Sequence, residues 1–173
     1  MYEIRTLTAD QLAEHVASFS TLLQDAVDSG ASVGFVPPLA DSASRKYWAG
    51  VRAAVLEGHR ILFAAVDGSE VLGSVQLDLA TMPNAGHRAE VMKLMVHRSA
   101  RRRGIGRALM LALEEAARRA GRTLLVLDTR VGDSAEQLYL GLGYERAGEI
   151  PRYALSAAGT LDATVYMYRR LER

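Results

Sequence analysis

The segment from Glu90 to Leu127 constrains the fold more than any other part of this sequence. Its pattern of apolar and polar residues predicts a strand over Glu90–Val96 and a helix over Gly104–Ala120 that Gly121 ends. It also predicts a continuously apolar strand over Thr123–Leu127. A strand–helix–strand unit of this kind makes its two strands parallel, with a right-handed crossover. The fold must therefore contain a parallel strand pair with a helix packed against it.

The remaining elements predict further strands and helices around this unit. Thr8 and Gln11 form a capping box that begins a helix, which ends near Ser29-Gly30, and Asp41 or Ser42 is expected to cap a second helix that stops at Gly58. We expect strands over Tyr2–Leu7, Ile61–Val66, Val71–Leu79, Tyr144–Ile150 and Ala163–Arg169, a loop over Gly30–Ala40, and a short helix over Asp133–Leu140. The order indicates an α/β protein with a mixed sheet, and 173 residues fit a single domain, 1–173.

Composition narrows the functional classes. The net charge of +1 argues against a general nucleic-acid binder, and the absence of cysteine excludes disulfides, thiolate metal sites and a cysteine nucleophile. The four histidines have no zinc-motif spacing, and no apolar run reaches the roughly 18 residues of a membrane span. The first residues lack the apolar core of a signal peptide. We therefore expect a cytoplasmic protein without a metal, a membrane contact or a nucleic-acid partner.

The turn before the central helix reads Arg101-Arg102-Arg103-Gly104-Ile105-Gly106. A helix start offers unpaired N–H groups and a partial positive charge, the glycines permit close approach, and arginine suits phosphate oxygens. The turn lacks both the Walker P-loop pattern and the third glycine of a dinucleotide fingerprint. It predicts a cradle for a pyrophosphate, with a solvated basic turn as the alternative.

Together with Leu94-Met95-Val96, the pattern Arg101-x-x-Gly104-x-Gly106 resembles the acyl-CoA site of the GNAT superfamily, whose motif is Q/R-x-x-G-x-G/A. The resemblance implies the GNAT fold, a mostly antiparallel twisted sheet with one parallel unit, splayed strands and flanking helices. It implies acetyl-CoA as cosubstrate, with its pantetheine arm between the strands that end at Val96 and Asp128, and a backbone N–H near Met95 or Val96 that polarises the thioester. The implied cofactor-binding residues are Leu94, Met95, Val96, Arg101, Arg102, Arg103, Gly104, Ile105, Gly106, Arg107 and Tyr139.

Three further segments resemble the tabtoxin resistance acetyltransferase subgroup, whose members acetylate a small amino-acid-like β-lactam toxin. The segments are Gly30–Phe35, Arg88–Val96 and Leu127–Thr129. One position departs from the wider family, which often has an asparagine seven residues before the motif tyrosine, where it bonds the pantetheine arm. Gly132 stands there, and Asp133 or Ser134 is the candidate substitute.

Glu90, Asp128 and Tyr139 are the candidate catalytic residues. Strand alternation places Glu90 on one face with Met92, Leu94 and Val96, where it could act as the base, or else form a surface ion pair. Asp128 ends a buried parallel strand, where it could bind the acceptor ammonium, share the base role or cap a turn. Tyr139, in Leu138-Tyr139-x-x-x-Gly143-Tyr144, resembles the family's L-Y-x-x-x-G-F, whose tyrosine protonates the leaving thiolate; core packing is its alternative.

The acceptor pocket is expected from Gly30–Leu39, Trp48 and Met82–Arg88, with Phe35, Trp48, Arg88 and Asp128 as substrate-binding residues. Simple core packing is the alternative for Trp48. The predicted function is acetyl-CoA-dependent N-acetylation of a small amino-acid-like amine, a toxin or antibiotic among the candidates. Two alternatives remain, a peptide N-terminal acetyltransferase and a non-enzymatic acyl-CoA-binding module. The resemblance also implies a homodimer through the C-terminal strands.

Overall fold

The computed structural model describes residues 1 to 172 and contains one mixed sheet of seven strands. In chain order the elements are β1 (Glu3–Leu7), α1 (Ala9–Glu14), α2 (Val16–Asp28), α3 (Asp41–Leu56), β2 (Arg60–Asp67), β3 (Glu70–Leu79), β4 (Arg88–Val96), α4 (Ile105–Arg119), β5 (Leu124–Arg130), α5 (Ser134–Gly141), β6 (Glu145–Leu155) and β7 (Leu161–Arg170). The strand order is β1-β2-β3-β4-β5-β7-β6, and every neighbouring pair is antiparallel except β4 with β5. The predicted fold class is confirmed.

Helices cover both faces of the sheet. On one face α4 packs its buried stripe against β2, β3 and β4, because Ile105, Leu109 and Leu113 recur at helical spacing. On the other face α2 and α3 enclose a second core that contains Phe19 and Trp48, whose ring centroids lie 4.6 Å apart. The sheet is thus buried on both faces along most of β2 and β3.

Two predicted helix boundaries are wrong. The first helix divides at His15, which leaves helical geometry at φ −101° and ψ 10° and serves as the end of α1 and the start of α2. The capping box of Thr8 and Gln11 forms as predicted. Neither Asp41 nor Ser42 caps α3, because Ala40 occupies the cap position and the Asp41 carboxylate instead pairs with Arg45 one turn along, at 2.6 Å.

The parallel pair is short. Only Arg88–Glu90 of β4 pair with Leu124–Val126 of β5, and the strands then part. Beyond this point β5 continues to pair with β7, whereas the facing edge of β4 is unpaired. The sheet therefore opens in the middle, between Val91–Val96 on one side and Leu127–Arg130 on the other.

Candidate functional site

The turn from Arg101 to Gly104 is shaped to receive an anion. Arg102 at φ 63° and Gly104 at φ 79° both adopt left-handed backbone conformations just before α4 begins. Within the described chain, none of the backbone N–H groups of residues 101 to 107 donates a hydrogen bond to another protein group. Alternating left-handed residues at a helix start gather such groups around a concave surface, and the helix dipole adds partial positive charge.

The arginines of this turn differ in their contacts. Arg102, Arg103 and Arg107 are exposed, and their side chains form no ion pair with the described residues. Arg101 is engaged, because its Nε donates to the Val96 carbonyl at 3.1 Å and its Nη2 donates to Ser29 Oγ at 2.6 Å. The three free guanidinium groups can reach phosphate oxygens, while Arg101 holds the turn against the end of β4.

The two glycines of the turn have different roles. A Cβ on Gly104 would meet no atom within 4 Å, so it is the left-handed φ of 79° that favours glycine there. A Cβ on Gly106 would lie 3.2 Å from Leu138 Cδ2, so that glycine lets α4 pack closely on α5. The space beside Gly104 is open, so the expectation that it makes room for a phosphate stays a prediction, whereas the contact at Gly106 is with the core.

A β-bulge in β4 changes which side chains share a face. Met92 pairs with Gln76 and Met95 with Ser74, so that Lys93 and Leu94 together stand opposite one residue of β3, and Lys93 has φ 52°. Leu94 and Val96 consequently pack against the core beneath α4, whereas Met95 belongs to the core beneath α2 and α3. The prediction that Glu90 shares a face with Leu94 and Val96 is wrong, because alternation does not continue through a bulge.

The open edge of β4 presents backbone groups to the gap. The His97 N–H donates to the Leu72 carbonyl at 2.9 Å, toward β3. Because successive N–H groups of a strand point to opposite sides, the Val96 N–H points away from β3, into the space between β4 and β5. Of the two positions proposed for a donor to the thioester, Val96 is therefore favoured over Met95.

Glu90 and Asp128 stand on the same face of the sheet at this opening. Glu90 pairs in register with Val126, and Asp128 lies one pleat repeat further along β5. Strand spacing then separates the two Cα atoms by roughly 8 Å. Both residues are exposed, and Asp128 Oδ2 accepts a hydrogen bond from Thr164 Oγ1 at 2.8 Å. A small amine could approach both carboxylates at once.

The surroundings of Glu90 favour the protonated form of its carboxyl group. Desolvation raises the pKa of Glu90, and the negative charges of Asp128 and Asp78 raise it further, against the opposing effect of Arg88 and Lys93. A carboxylate with a raised pKa is a stronger proton acceptor. The pKa of Glu90 is raised by its immediate neighbours, because the two acidic residues lie on β3 and β5, on either side of β4.

Tyr139 lies in the core cluster on the α4 face of the sheet. It is 5% exposed, its ring centroid lies 5.6 Å from that of Tyr144, and its hydroxyl forms no hydrogen bond with the described residues. Burial raises its pKa, and the charges of Asp128 and Asp133 add to this effect. The hydroxyl therefore remains protonated at neutral pH, as a proton donor must be, and the role stays a prediction.

The predicted acceptor-binding residues do not lie together in one pocket. Trp48 is 1% exposed and packs against Phe19 and Tyr47, so its side chain has no surface left to contact an acceptor. Arg88 lines a cavity of about 310 Å³ together with Glu90, Asp78 and His59. Phe35 lines a second cavity of about 250 Å³ that also contains Arg130 and Asp162.

In the turn before α5, where Gly132 stands in place of the family's asparagine, the polar groups bond to one another. The Gly132 N–H donates to Glu136 Oε2 at 2.7 Å, and the fully buried Glu136 also pairs with Arg146. Asp133 accepts from Arg130 Nη2 at 2.9 Å and from Ser134 Oγ at 3.2 Å. Both candidate substitutes for the family's asparagine are therefore already engaged with neighbouring side chains.

Sequence reasoning missed two contributors to this site. Lys93 was not predicted to lie at this opening, because nothing in the sequence predicts the bulge that redirects its side chain. Glu136 was not among the predicted residues. The available signal was its place three residues after Asp133, because a glutamate at the third position of a helix often bonds a backbone N–H at the start of that helix.

Among residues 1 to 172, no group of three or more histidine, aspartate and glutamate side chains is arranged to hold a metal ion. No helix in the same range has the length and apolar character needed to cross a membrane.

Comparison with known proteins identifies the family. The family model described as acetyltransferase (GNAT) family matches residues 20–144. An N-acetyltransferase of uncharacterised role from the hisH-hisA intergenic region of Azospirillum brasilense is 36% identical over 108 residues, which are 61% of this chain and 62% of that protein. The chain thus spans less than two thirds of that relative.

Two further similarities cover more of the chain. The L-methionine sulfoximine/L-methionine sulfone acetyltransferase of Pseudomonas aeruginosa is 31% identical over 145 residues, which are 83% of this chain and 82% of that protein. The structure of yncA from Salmonella typhimurium, described as an acetyltransferase with its cofactor acetyl-CoA, superimposes with a TM-score of 0.80 at 18% identity and covers 100% of this chain and 95% of that one. The chain belongs to the GNAT acetyltransferase family.

Proposed function

We propose that this acetyltransferase moves the acetyl group of acetyl-CoA to the primary amine of a small amino-acid-like molecule. The observation that carries the proposal is the juxtaposition at the gap in the sheet. Unpaired N–H groups of residues 101 to 107 lie at one end of the open β4 edge, and the acidic pair of Glu90 and Asp128 lies at the other. A donor site and an acceptor site are thus joined by a strand edge.

The donor would be held largely by backbone groups. Its pyrophosphate would lie on the turn from Arg101 to Gly104 and the first turn of α4, with Arg102, Arg103 and Arg107 nearby, and its pantetheine arm along the open edge of β4. When bound, acetyl-CoA supplies an acetyl group activated as a thioester with a thiolate leaving group. The Val96 N–H would act as an oxyanion-hole donor at that edge.

The side chains near the opening would bind the acceptor and transfer protons. The Asp128 carboxylate holds the acceptor ammonium, and Glu90 accepts the proton that the ammonium must lose before it can attack. The Tyr139 hydroxyl gives a proton to the departing thiolate. Formation of the amide removes two protons from the acceptor ammonium: one is equivalent to the proton that reaches the sulfur and restores Tyr139, and the other is released to solvent through Glu90. Thr164 holds the Asp128 carboxylate in place.

Two resemblances support an amino-acid-like acceptor. The segments Gly30–Phe35, Arg88–Val96 and Leu127–Thr129 resemble the tabtoxin resistance subgroup, and the Pseudomonas aeruginosa relative is named for two amino-acid analogues. A toxin or antibiotic of this type is therefore among the first acceptors to test. The chain, 1–173, is proposed to act as one domain, and a homodimer through β6 and β7 stays a prediction.

The proposal is tested by thiol release from acetyl-CoA with L-methionine sulfone and a panel of other L-amino acids as acceptors, from pH 4 to pH 10. Because the pKa of Glu90 is raised, the wild-type rate should increase with pH through a midpoint above the usual range of a glutamate. Glu90→Gln should lower turnover about 100-fold or more near neutral pH and remove that increase.

Glu115→Gln is the matched control, because Glu115 is an exposed residue of α4 whose partners are surface arginines. A Glu90→Gln variant with the wild-type pH profile would remove Glu90 from the base role. Turnover of peptides with free N-termini but of no amino acid would instead favour a peptide acetyltransferase. Binding of acetyl-CoA by calorimetry without any turnover would favour a binding module.

A further inference from the structure

Lys93 occupies an unusual position at the mouth of the site. It is the bulged residue of β4, at φ 52°, three residues beyond Glu90 and just where β4 and β5 have parted. A non-glycine residue in the left-handed region is uncommon, and a bulge re-aims the side chain that carries it. The half-buried Lys93 side chain therefore points in a direction that regular strand alternation would not predict.

The Lys93 ammonium has no anionic partner of its own. Within the described chain it forms neither a hydrogen bond nor an ion pair within 4.0 Å. The neighbouring cations on this side are engaged, since Arg60 donates to Asp78 and Gln76, and Arg130 donates to Asp133 and to the Gly30 carbonyl. A half-buried ammonium without a partner is costly unless something else neutralises it.

Lys93 lies beside the loop that lines the second cavity and near the two carboxylates of the opening. A Cβ on Gly34 would lie 3.2 Å from Lys93 Nζ, so the ammonium rests against the Gly30–Leu39 loop, which lines the second cavity. Partial burial lowers the pKa of Lys93, while the charges of Asp128 and Glu90 favour its protonated form. The ammonium therefore stands on the acceptor side, near both carboxylates but bonded to neither.

The choice of lysine at this position is itself informative. Of the 21 lysine and arginine residues in the chain, only Lys46 and Lys93 are lysines. A lysine ammonium is a compact charge on a flexible stem, and it can follow a small ligand more readily than the planar guanidinium. Arg88, the other cation beside Glu90, lies where β4 is still paired with β5.

We propose that Lys93 binds the carboxylate of the acceptor, and therefore that the acceptor is an α-amino acid whose own amine is acetylated. The inference rests on the proposed function. An α-amino acid carries its ammonium and carboxylate on one carbon, so the acidic pair and Lys93 can bind both at once. Simple amines and amino-acid amides would lose the second contact.

The test compares each acceptor with its carboxamide, L-methionine sulfone and its amide first and then the panel of L-amino acids and their amides. A charge-assisted bond to the carboxylate should give the wild-type protein about a 10- to 100-fold higher kcat/KM for the acid than for the amide. Lys93→Met should abolish this preference, mainly through KM of the acid, and should leave the KM of acetyl-CoA unchanged. Lys93→Arg should restore part of the preference.

Lys46→Met is the matched control, because Lys46 is exposed on α3. Equal loss of activity on acids and amides in Lys93→Met would overturn the inference and give Lys93 a role in the charge of Glu90. So would a wild-type protein that acetylates amines without preferring acids, although the transferase itself would then stand.

A binding measurement keeps the test independent of turnover. Calorimetry with N-acetyl-L-methionine sulfone and the N-acetylated panel should show binding to the wild-type protein and a loss of about 10-fold or more in Lys93→Met. Acetylated acids that bind no better than their amides would refute the carboxylate contact. Failure of acetyl-CoA binding in the same samples would instead refute the proposed function.

Discussion

Replacing Gly104 with alanine should separate the cost of its backbone conformation from its part in binding the donor. Gly104 has φ 79°, and a Cβ built on it meets no atom within 4 Å. The steric cost is therefore confined to the backbone. An L-residue in the left-handed region costs roughly 1–2 kcal/mol, and the lower entropy of the unfolded chain returns about 0.4–1 kcal/mol. We expect a net loss of about 1 kcal/mol in the free energy of unfolding.

Gly121 provides the matched control. It lies just beyond the other end of α4, has φ 70°, and a Cβ on it would also meet nothing within 4 Å. Gly121→Ala should therefore cost about the same stability, and each variant should lower Tm by about 2–4 °C for a chain of this size. Only Gly104 lies beside the unpaired N–H groups.

The binding of acetyl-CoA should distinguish the two variants. A methyl group in the open space over the turn would displace a phosphate from one or two N–H groups, which corresponds to about 10- to 100-fold in affinity for bonds to a charged group. Calorimetry at one fixed, low salt concentration should show this loss in Gly104→Ala and wild-type affinity in Gly121→Ala. Wild-type affinity in Gly104→Ala, or an equal loss in both variants, would refute a phosphate site at this turn.

Three further outcomes follow from the site and the core. Tyr139→Phe should lower kcat about 100-fold without changing the KM of acetyl-CoA, measured by thiol release; an unchanged kcat would leave Tyr139 only its core packing. Trp48→Phe should cost about 1–3 kcal/mol in urea unfolding and leave the acceptor KM unchanged, because Trp48 is buried; a shifted KM would return it to the acceptor pocket. Glu90→Gln should become more stable relative to wild type as the pH rises from 4 to 7.5, since a raised pKa means that ionisation of Glu90 weakens the fold; a difference independent of pH would contradict that shift.

Sequence periodicity was sufficient for the order of elements and insufficient where the backbone departs from regular geometry. The strand–helix–strand unit and the Thr8 capping box follow from local rules, and both form. No local residue pattern predicts the break at His15 or the bulge at Lys93, because the residues around them suit a continuous helix and a regular strand. Each depends on how neighbouring elements pack.

The candidate site was predictable to a similar degree. Glu90 and Asp128 could be brought together because parallel strands run in register, and the structure places them on one face. The alternation argument failed one step later, at Leu94, because a single extra residue reverses inside and outside. Trp48 could not be assigned from the sequence, since an aromatic residue in a helix suits a pocket wall and a core equally.

The short pairing between β4 and β5 has a mechanical consequence. Among residues 1 to 172, three residue pairs form the strand pairing between the β1–β4 part of the sheet and the β5–β7 part, and the core beneath α4 also joins the two parts. Any ligand that bonds to both edges of the gap adds a further connection between them. Amide hydrogen exchange should then slow on both sides of the gap together, and resistance to unfolding should rise with the concentration of such a ligand, by about 2.7 kcal/mol at one hundred times its Kd.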